Sequence, residues 1–124
     1  MNRTFPADRK KMRKALLDAV QEVRDVLVAG AQEAEESGTL PEATVDALER
    51  AGLFAMKLPA ELGGAEADPV TQLQVIEAVT RIDPAAGWVM MIGAASIASP
   101  AVFLPDEAID QLFVGGRAPR PRGP

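Results

Sequence analysis

The side chains available for chemistry in this chain are carboxylates, lysines, serines and threonines, because its 124 residues include no cysteine, histidine or tyrosine. Without cysteine there is no disulfide, no thiolate nucleophile and no iron–sulfur ligation. Without histidine there is no Ser-His catalytic pair and no ordinary zinc site. Any reaction must therefore come from the remaining side chains or from a cofactor.

Two features come closest to a site. Glu61 lies in a segment with two glycines, residues 59–64, but a lone carboxylate has no partner to tune its pKa, so a surface loop residue is the favoured interpretation. Trp88, Met90 and Met91 form an adaptable apolar cluster that can wall a hydrophobic ligand pocket. Core packing is the favoured interpretation of that cluster from burial tendencies alone.

Helices must position these residues. Met12, Leu16, Val20, Val23 and Leu27 recur at helical spacing, which predicts one long helix over residues 7–36 with a bend near Gly30. A second helix is expected over residues 40–52 and a loop over 53–68. Asp68-Pro69 then starts a helix, whose predicted buried stripe is Val70, Leu73, Ile76, Val79 and Ile82.

The stretch from Pro84 to Leu104 contains no charged residue. It is just long enough to cross a bilayer, but its flanks are acidic and lack the Lys/Arg cluster that sets membrane topology. A helix buried on all sides in a bundle is therefore favoured over a membrane span, and Pro100 is expected to end or kink it. A last short helix is expected from Pro105 to the glycines at 115 and 116.

The expected class is all-α, a bundle of about five helices over residues 1–116, followed by a disordered Arg/Pro tail over 117–124. The net charge is −5, and the acidic body argues against a nucleic-acid partner. No apolar signal segment opens the chain, so a cytoplasmic location is expected.

Four short motifs occur in an order that is typical of one family. Residues 48–64, read LERAGLFAMKLPAELGG, and residues 74–84, 86–93 and 104–108 resemble the N-terminal helical domain of the acyl-CoA dehydrogenase superfamily. The likeness extends from about residue 8 to 116. Residues 86–93 and 104–108 resemble the branch that includes the related flavin-dependent hydroxylases.

The resemblance implies a three-part protein in which FAD or a reduced flavin, and the catalytic base, are held by segments beyond this one. This chain would then contain no catalytic, cofactor-binding or metal residue, and would be a truncated product that is inactive alone and does not bind flavin. It would supply one wall of the substrate pocket through Trp88, Met91, Ile92 and Ala95. The substrate implied is an acyl-CoA or an aromatic or polycyclic small molecule.

Other functions remain open at this point. The chain is alternatively a non-enzymatic helical interaction module that completes a partner chain carrying the missing domains, or forms a homo-oligomer. A small membrane protein is the least favoured alternative. The sequence separates neither dehydrogenase from hydroxylase nor one substrate from another.

Overall fold

The computed structural model describes residues 5–113, and within that range the chain forms six α-helices, two 3₁₀ turns and no strand. The predicted all-α class is therefore confirmed. The domain boundary at 116 and the tail over 117–124 lie outside the described residues. The helices are α1 (Arg9–Glu22), α2 (Arg24–Ser37), α3 (Glu42–Arg50), α4 (Pro69–Ile82), α5 (Pro84–Phe103) and α6 (Asp106–Leu112), and the 3₁₀ turns are Leu53–Ala55 and Ala60–Leu62.

The predicted long first helix is two helices, and the expected bend at Gly30 is wrong. The break falls at Val23, whose backbone leaves the helical region (φ −99°, ψ 1°). Gly30 stays helical inside α2, where its missing side chain lets α3 approach, because a Cβ there would overlap the hydroxyl of Thr44. This break gives six helices in place of the expected five.

The first apolar stripe is packed as predicted. Met12, Leu16, Val20, Val23 and Leu27 are all buried in one core. This core also contains Leu53, Phe54 and Leu58 from the segment that follows α3. The loop predicted over 53–68 is thus ordered by its apolar side chains, with a 3₁₀ turn at each end of its first half.

The second half of that loop folds back on the first. The backbone N–H of Glu66 donates to the carbonyl of Leu58 (3.0 Å), and the carboxylate of Glu66 accepts from the N–H of Ala60 (3.1 Å). Glu66 adopts a positive φ of 49°, which is uncommon for a residue with a Cβ. Gly64 packs so closely that a Cβ would overlap the backbone of Leu58. The turn therefore depends on both positions.

The predicted buried stripe of α4 is correct only in part. Val79 is buried, and Ile76 and Ile82 pack partly against the core. Val70 and Leu73 are exposed, whereas Thr71 is fully buried.

Asp68 caps α4 by accepting from the N–H of Thr71 (3.2 Å), and the Thr71 hydroxyl donates to Asp68 Oδ1 (2.6 Å). Arg13 Nε of α1 donates to the same hydroxyl (2.9 Å). This polar network holds Thr71 toward α1, so the buried stripe becomes Thr71, Val75 and Val79.

Helix α5 packs one face against α4 and the Leu53–Ala55 turn. Asp83 caps it by accepting from the N–H of Ala85 (3.1 Å), and the helix runs through Pro100 to Phe103, since a proline one turn from the end costs few backbone hydrogen bonds. The prediction of burial on all sides is wrong. The buried residues lie on one face and are mostly small: Ala86, Gly87, Met90, Gly93, Ala94 and Ile97.

Among residues 5–113, α5 is the one helix whose length and composition would allow it to cross a membrane, and 39% of its apolar window is buried inside the fold. The helix that follows, α6, begins after Pro105 and brings Phe113 into the core, while Leu112 stays largely exposed. In this fold α5 is a bundle helix with one uncovered face.

We expect Gly87→Ala to destabilise the chain by about 1–3 kcal/mol, because a Cβ at position 87 would overlap Thr80 of α4. The direction of the stability change is informative, because replacing glycine by alanine in an unconstrained helix stabilises it by up to about 1 kcal/mol. Urea denaturation followed by circular dichroism measures the effect. Ser96→Ala, on the exposed side of α5, is the matched control and should leave stability within about 0.5 kcal/mol.

The pKa of Asp68 predicts a loss of stability in acid. The side-chain hydrogen bond from Thr71 lowers this pKa below its ordinary value of 3.8, the Thr71 N–H and the charge of Arg9 lower it further, and partial burial opposes them. A carboxyl whose pKa is lower in the folded state stabilises fully above 3.8, and this contribution is lost as the pH falls through the folded-state pKa.

The free energy of unfolding should be measured at neutral pH and at pH values near and below 3.8. Asp68→Asn should lose less stability between these conditions than the unchanged chain. The exposed Asp110→Asn serves as the control and should follow the unchanged chain. Identical acid profiles for all three proteins would contradict this role of Asp68.

The single tryptophan of the chain reports on the uncovered face of α5, because Trp88 is 63% exposed. We expect acrylamide to quench its fluorescence at dilute protein nearly as efficiently as it quenches free tryptophan. The matched control, Trp88→Phe with Phe54→Trp, moves the indole to a buried position and should be quenched weakly. Strong protection of Trp88 in the dilute chain would show that this face is covered.

Candidate functional site

The four predicted pocket residues lie on one face of α5, as their spacing of three, one and three residues requires. Trp88 and Ile92 are exposed, and Met91 and Ala95 are half-buried at the edge of the same face. The first and last of the four are two helical turns apart, about 10 Å along the axis. The structure therefore brings these four residues together on a surface that the rest of the described chain leaves open.

This surface continues along α5 beyond the predicted residues. Ser96, Ser99, Val102 and Phe103 are exposed, and Phe103 is the most exposed large apolar side chain of the described range at 84%. We call the following eight residues the α5 face: Trp88, Met91, Ile92, Ala95, Ser96, Ser99, Val102 and Phe103. The sequence analysis did not include the last four of them, although the continued spacing of three to four residues from Ile92 was the available signal.

The two readings of the cluster at 88–91 separate in the structure. Met90 is fully buried in the core, so core packing is the correct interpretation for this residue. Trp88 lies two residues earlier, about 200° away around the helix, and is exposed. Only the neighbours of α5 decide which of the two apolar residues is covered.

The α5 face can bind a molecule but has no side chain suited to proton transfer. It contains no titratable side chain, and its polar groups are the hydroxyls of Ser96 and Ser99, the second of which donates to the carbonyl of Ala95 (3.0 Å). An indole, a thioether and aliphatic side chains can contact an apolar or aromatic molecule and exclude water from it. They cannot act as acid, base or nucleophile.

Glu61 does not join this surface into a catalytic site. It lies exposed on the 3₁₀ turn Ala60–Leu62, and no hydrogen bond or ion pair holds its side chain among residues 5–113. Within the same residues no three Asp or Glu side chains converge as metal ligands. Glu61 therefore fits the surface interpretation that the sequence favoured.

Two grooves in the described part of the chain are large enough to consider as sites for a flavin, the cofactor that the family resemblance implies. The larger, of about 480 Å³ between α2 and α3, has the carboxylates of Asp25 and Glu33 and no basic residue in its lining. The smaller, of about 290 Å³, contains Arg50 together with Glu22. Carboxylates repel the phosphates of a flavin nucleotide, so neither groove fits one, and the uncharged α5 face offers no cation to a phosphate either.

Comparison with known proteins identifies the fold. Residues 10–111 match the family model described as acyl-CoA dehydrogenase, N-terminal domain. Over 103 residues the chain is 30% identical to an indole-3-acetate monooxygenase of Acinetobacter baumannii, an alignment that covers 81% of this chain and 25% of the relative. No solved structure matches the chain.

The chain thus spans about a quarter of the length of the curated relative that it matches. The family match covers α1 almost entirely, all of α2 to α5 and nearly all of α6. It therefore includes the α5 face and every helix that positions it. On this match and this all-α architecture, the chain belongs to the family of acyl-CoA dehydrogenase N-terminal domains.

Proposed function

We propose that this chain forms one wall of the substrate cavity of a flavin-dependent oxidoreductase of the acyl-CoA dehydrogenase superfamily. The observation that carries the proposal is the α5 face, an uncharged surface that exposes Trp88 and Ile92 beside Met91 and Ala95. An exposed apolar surface of this kind is typical of a ligand or protein contact. Additional polypeptide closes the cavity over it.

In this proposal the flavin and the catalytic base belong to that additional polypeptide. The chain spans about a quarter of the length of its relative. Both described grooves contain carboxylates, which repel the phosphates of a flavin nucleotide, and Arg50 in the smaller groove lies beside Glu22. The isolated chain accordingly does not retain flavin and has no oxidoreductase activity. The covering polypeptide is a further part of the same protein, a second copy or a partner chain.

The substrate that suits the α5 face best is an aromatic or otherwise apolar small molecule. The relative is an indole-3-acetate monooxygenase by name, and the exposed indole of Trp88 favours offset or edge contact with another aromatic ring. An acyl-CoA would place its acyl chain on the same surface. The corresponding reactions are hydroxylation with reduced flavin and oxygen, or α,β-dehydrogenation of the thioester.

A second candidate function rests on the same surface. A non-enzymatic interaction module would use the α5 face, together with the exposed Val102 and Phe103 at its end, to bind a partner chain with no substrate between them. The two functions differ in whether a small molecule touches Trp88. An experiment that measures substrate affinity therefore separates them.

The test is a chimera in which residues 10–111 replace the matched segment of the Acinetobacter baumannii monooxygenase. In this protein we expect Trp88→Ala to raise the KM for indole-3-acetate by roughly tenfold, the effect of removing one buried aromatic contact, with flavin affinity unchanged. The matched control is Val28→Ala, which removes an exposed apolar side chain from α2 and should change neither value.

Hydroxyl-radical footprinting keeps the test informative if the chimera is folded but inactive. Oxidation of Trp88 should be high in the isolated chain and low in the chimera. Unchanged KM in both variants of an active chimera would contradict the pocket wall, as would equal oxidation of Trp88 in the two proteins. Stoichiometric flavin retained by the isolated chain and reduced by an acyl-CoA would contradict the proposed division of roles.

A further inference from the structure

The α5 face has large side chains at both ends and small side chains in the middle. Trp88 and Phe103 stand at the two ends and are 63% and 84% exposed. The middle is formed by Ala95, Ser96 and Ser99. The two aromatic residues are separated by about 22 Å along the helix axis, and the midpoint between them falls between Ala95 and Ser96. The face is therefore nearly symmetric about its own midpoint.

A second copy of this face fits the first when the two helices run antiparallel. A two-fold axis at the midpoint places Trp88 of one copy opposite Phe103 of the other, and does so at both ends of the pair. Ile92 then lies opposite Ser99, so that a large side chain meets a small one. Because the residues at the midpoint are small, the two helix axes can approach closely. The α5 face is thus complementary to itself.

The charge of the chain does not oppose this pairing. A net charge of −5 makes two copies repel each other in general. Residues 84–104 contain no charged side chain, so the pairing brings no carboxylates together along the two helices. An antiparallel pair also places the positive end of one helix dipole beside the negative end of the other, whereas a parallel pair aligns like ends. Electrostatics therefore favours the antiparallel arrangement.

The remaining residues of this chain offer little to cover the α5 face. Among residues 1–4 and 114–124, which lie outside the described range, the large apolar side chains are Met1 and Val114. One aromatic side chain buries about 150–250 Å², so the whole face offers on the order of 600 Å² per copy. A stable interface buries about 800 Å² per partner. The area thus suits a second copy that binds weakly and dissociates on dilution.

We propose that two copies of this chain pair their α5 faces antiparallel in a two-fold symmetric dimer. The pairing covers the surface assigned above to the substrate cavity, and further polypeptide on that surface would displace the second copy. The inference does not rest on the proposed substrate contact, because it concerns the chain by itself. Since association depends on concentration, Trp88 stays exposed in the dilute chain.

Sedimentation equilibrium of the purified chain measures the association. We expect a monomer–dimer equilibrium, in which Phe103→Ser raises the dissociation constant by roughly a hundredfold or more, because each dimer loses two buried phenyl rings. The matched control is Leu73→Ser, which removes a 67% exposed leucine from α4 and should leave the constant unchanged. A chain that stays monomeric at millimolar concentration, or an equal effect of the two substitutions, would overturn the proposal.

Single cysteines test the antiparallel arrangement, since the chain has none of its own. Under mild oxidation Ser96→Cys should form a disulfide between copies, because position 96 lies beside the two-fold axis. Val102→Cys should not, because its two copies are about 20 Å apart in the antiparallel pair and a disulfide needs Cα atoms within about 7 Å. Equal cross-linking of both variants, or none at position 96, would overturn the proposal. Neither result bears on the KM measured in the chimera.

Discussion

A helix of twenty residues without a charged side chain must be covered on most of its surface, and the described part of this chain covers only one side of α5. The covered side is made of small residues, so that Gly87 lies against Thr80 and the two helices pack closely. The opposite side exposes Trp88 and Phe103. Water is a poor solvent for such a surface, and this imbalance is the physical basis for assigning a binding role to the α5 face.

The polar contacts of the fold determine which side of α5 is left uncovered. Asp68 and Thr71, joined to Arg13 of α1, fix the rotation of α4. Asp83 is both the C-cap of α4 and the N-cap of α5. Because only one residue connects the two helices, the orientation of α4 about its axis restricts the orientation of α5. The side of α5 that meets α4 is thereby set, and the α5 face follows as the side that remains.

Much of this fold could be predicted because the responsible signals are local. The cap at Asp68 and the apolar stripe from Met12 to Leu27 depend on near neighbours in the sequence, and the structure confirms them. The break at Val23 could not be predicted, since no glycine or proline marks it. The exposure of Leu73 was also missed, because a buried threonine held by an arginine from another helix displaced the expected stripe.

The candidate site likewise could be predicted from the sequence only in part. Trp88 and Met90 are both apolar and nearly adjacent, yet one is exposed and the other buried, and periodicity on a uniformly apolar helix contains no information about which. The family resemblance pointed to Trp88, Met91, Ile92 and Ala95, and the structure adds that they share one open surface. Their contact with a substrate stays a prediction, since it requires the polypeptide that covers them.

The most direct measurement is a crystal structure of the chimera with its small-molecule substrate bound. The account predicts that the substrate lies against Trp88 and Ile92, and that the rest of the chimera covers Val102 and Phe103. A structure in which the α5 face remains open to solvent while the substrate is enclosed elsewhere would contradict it.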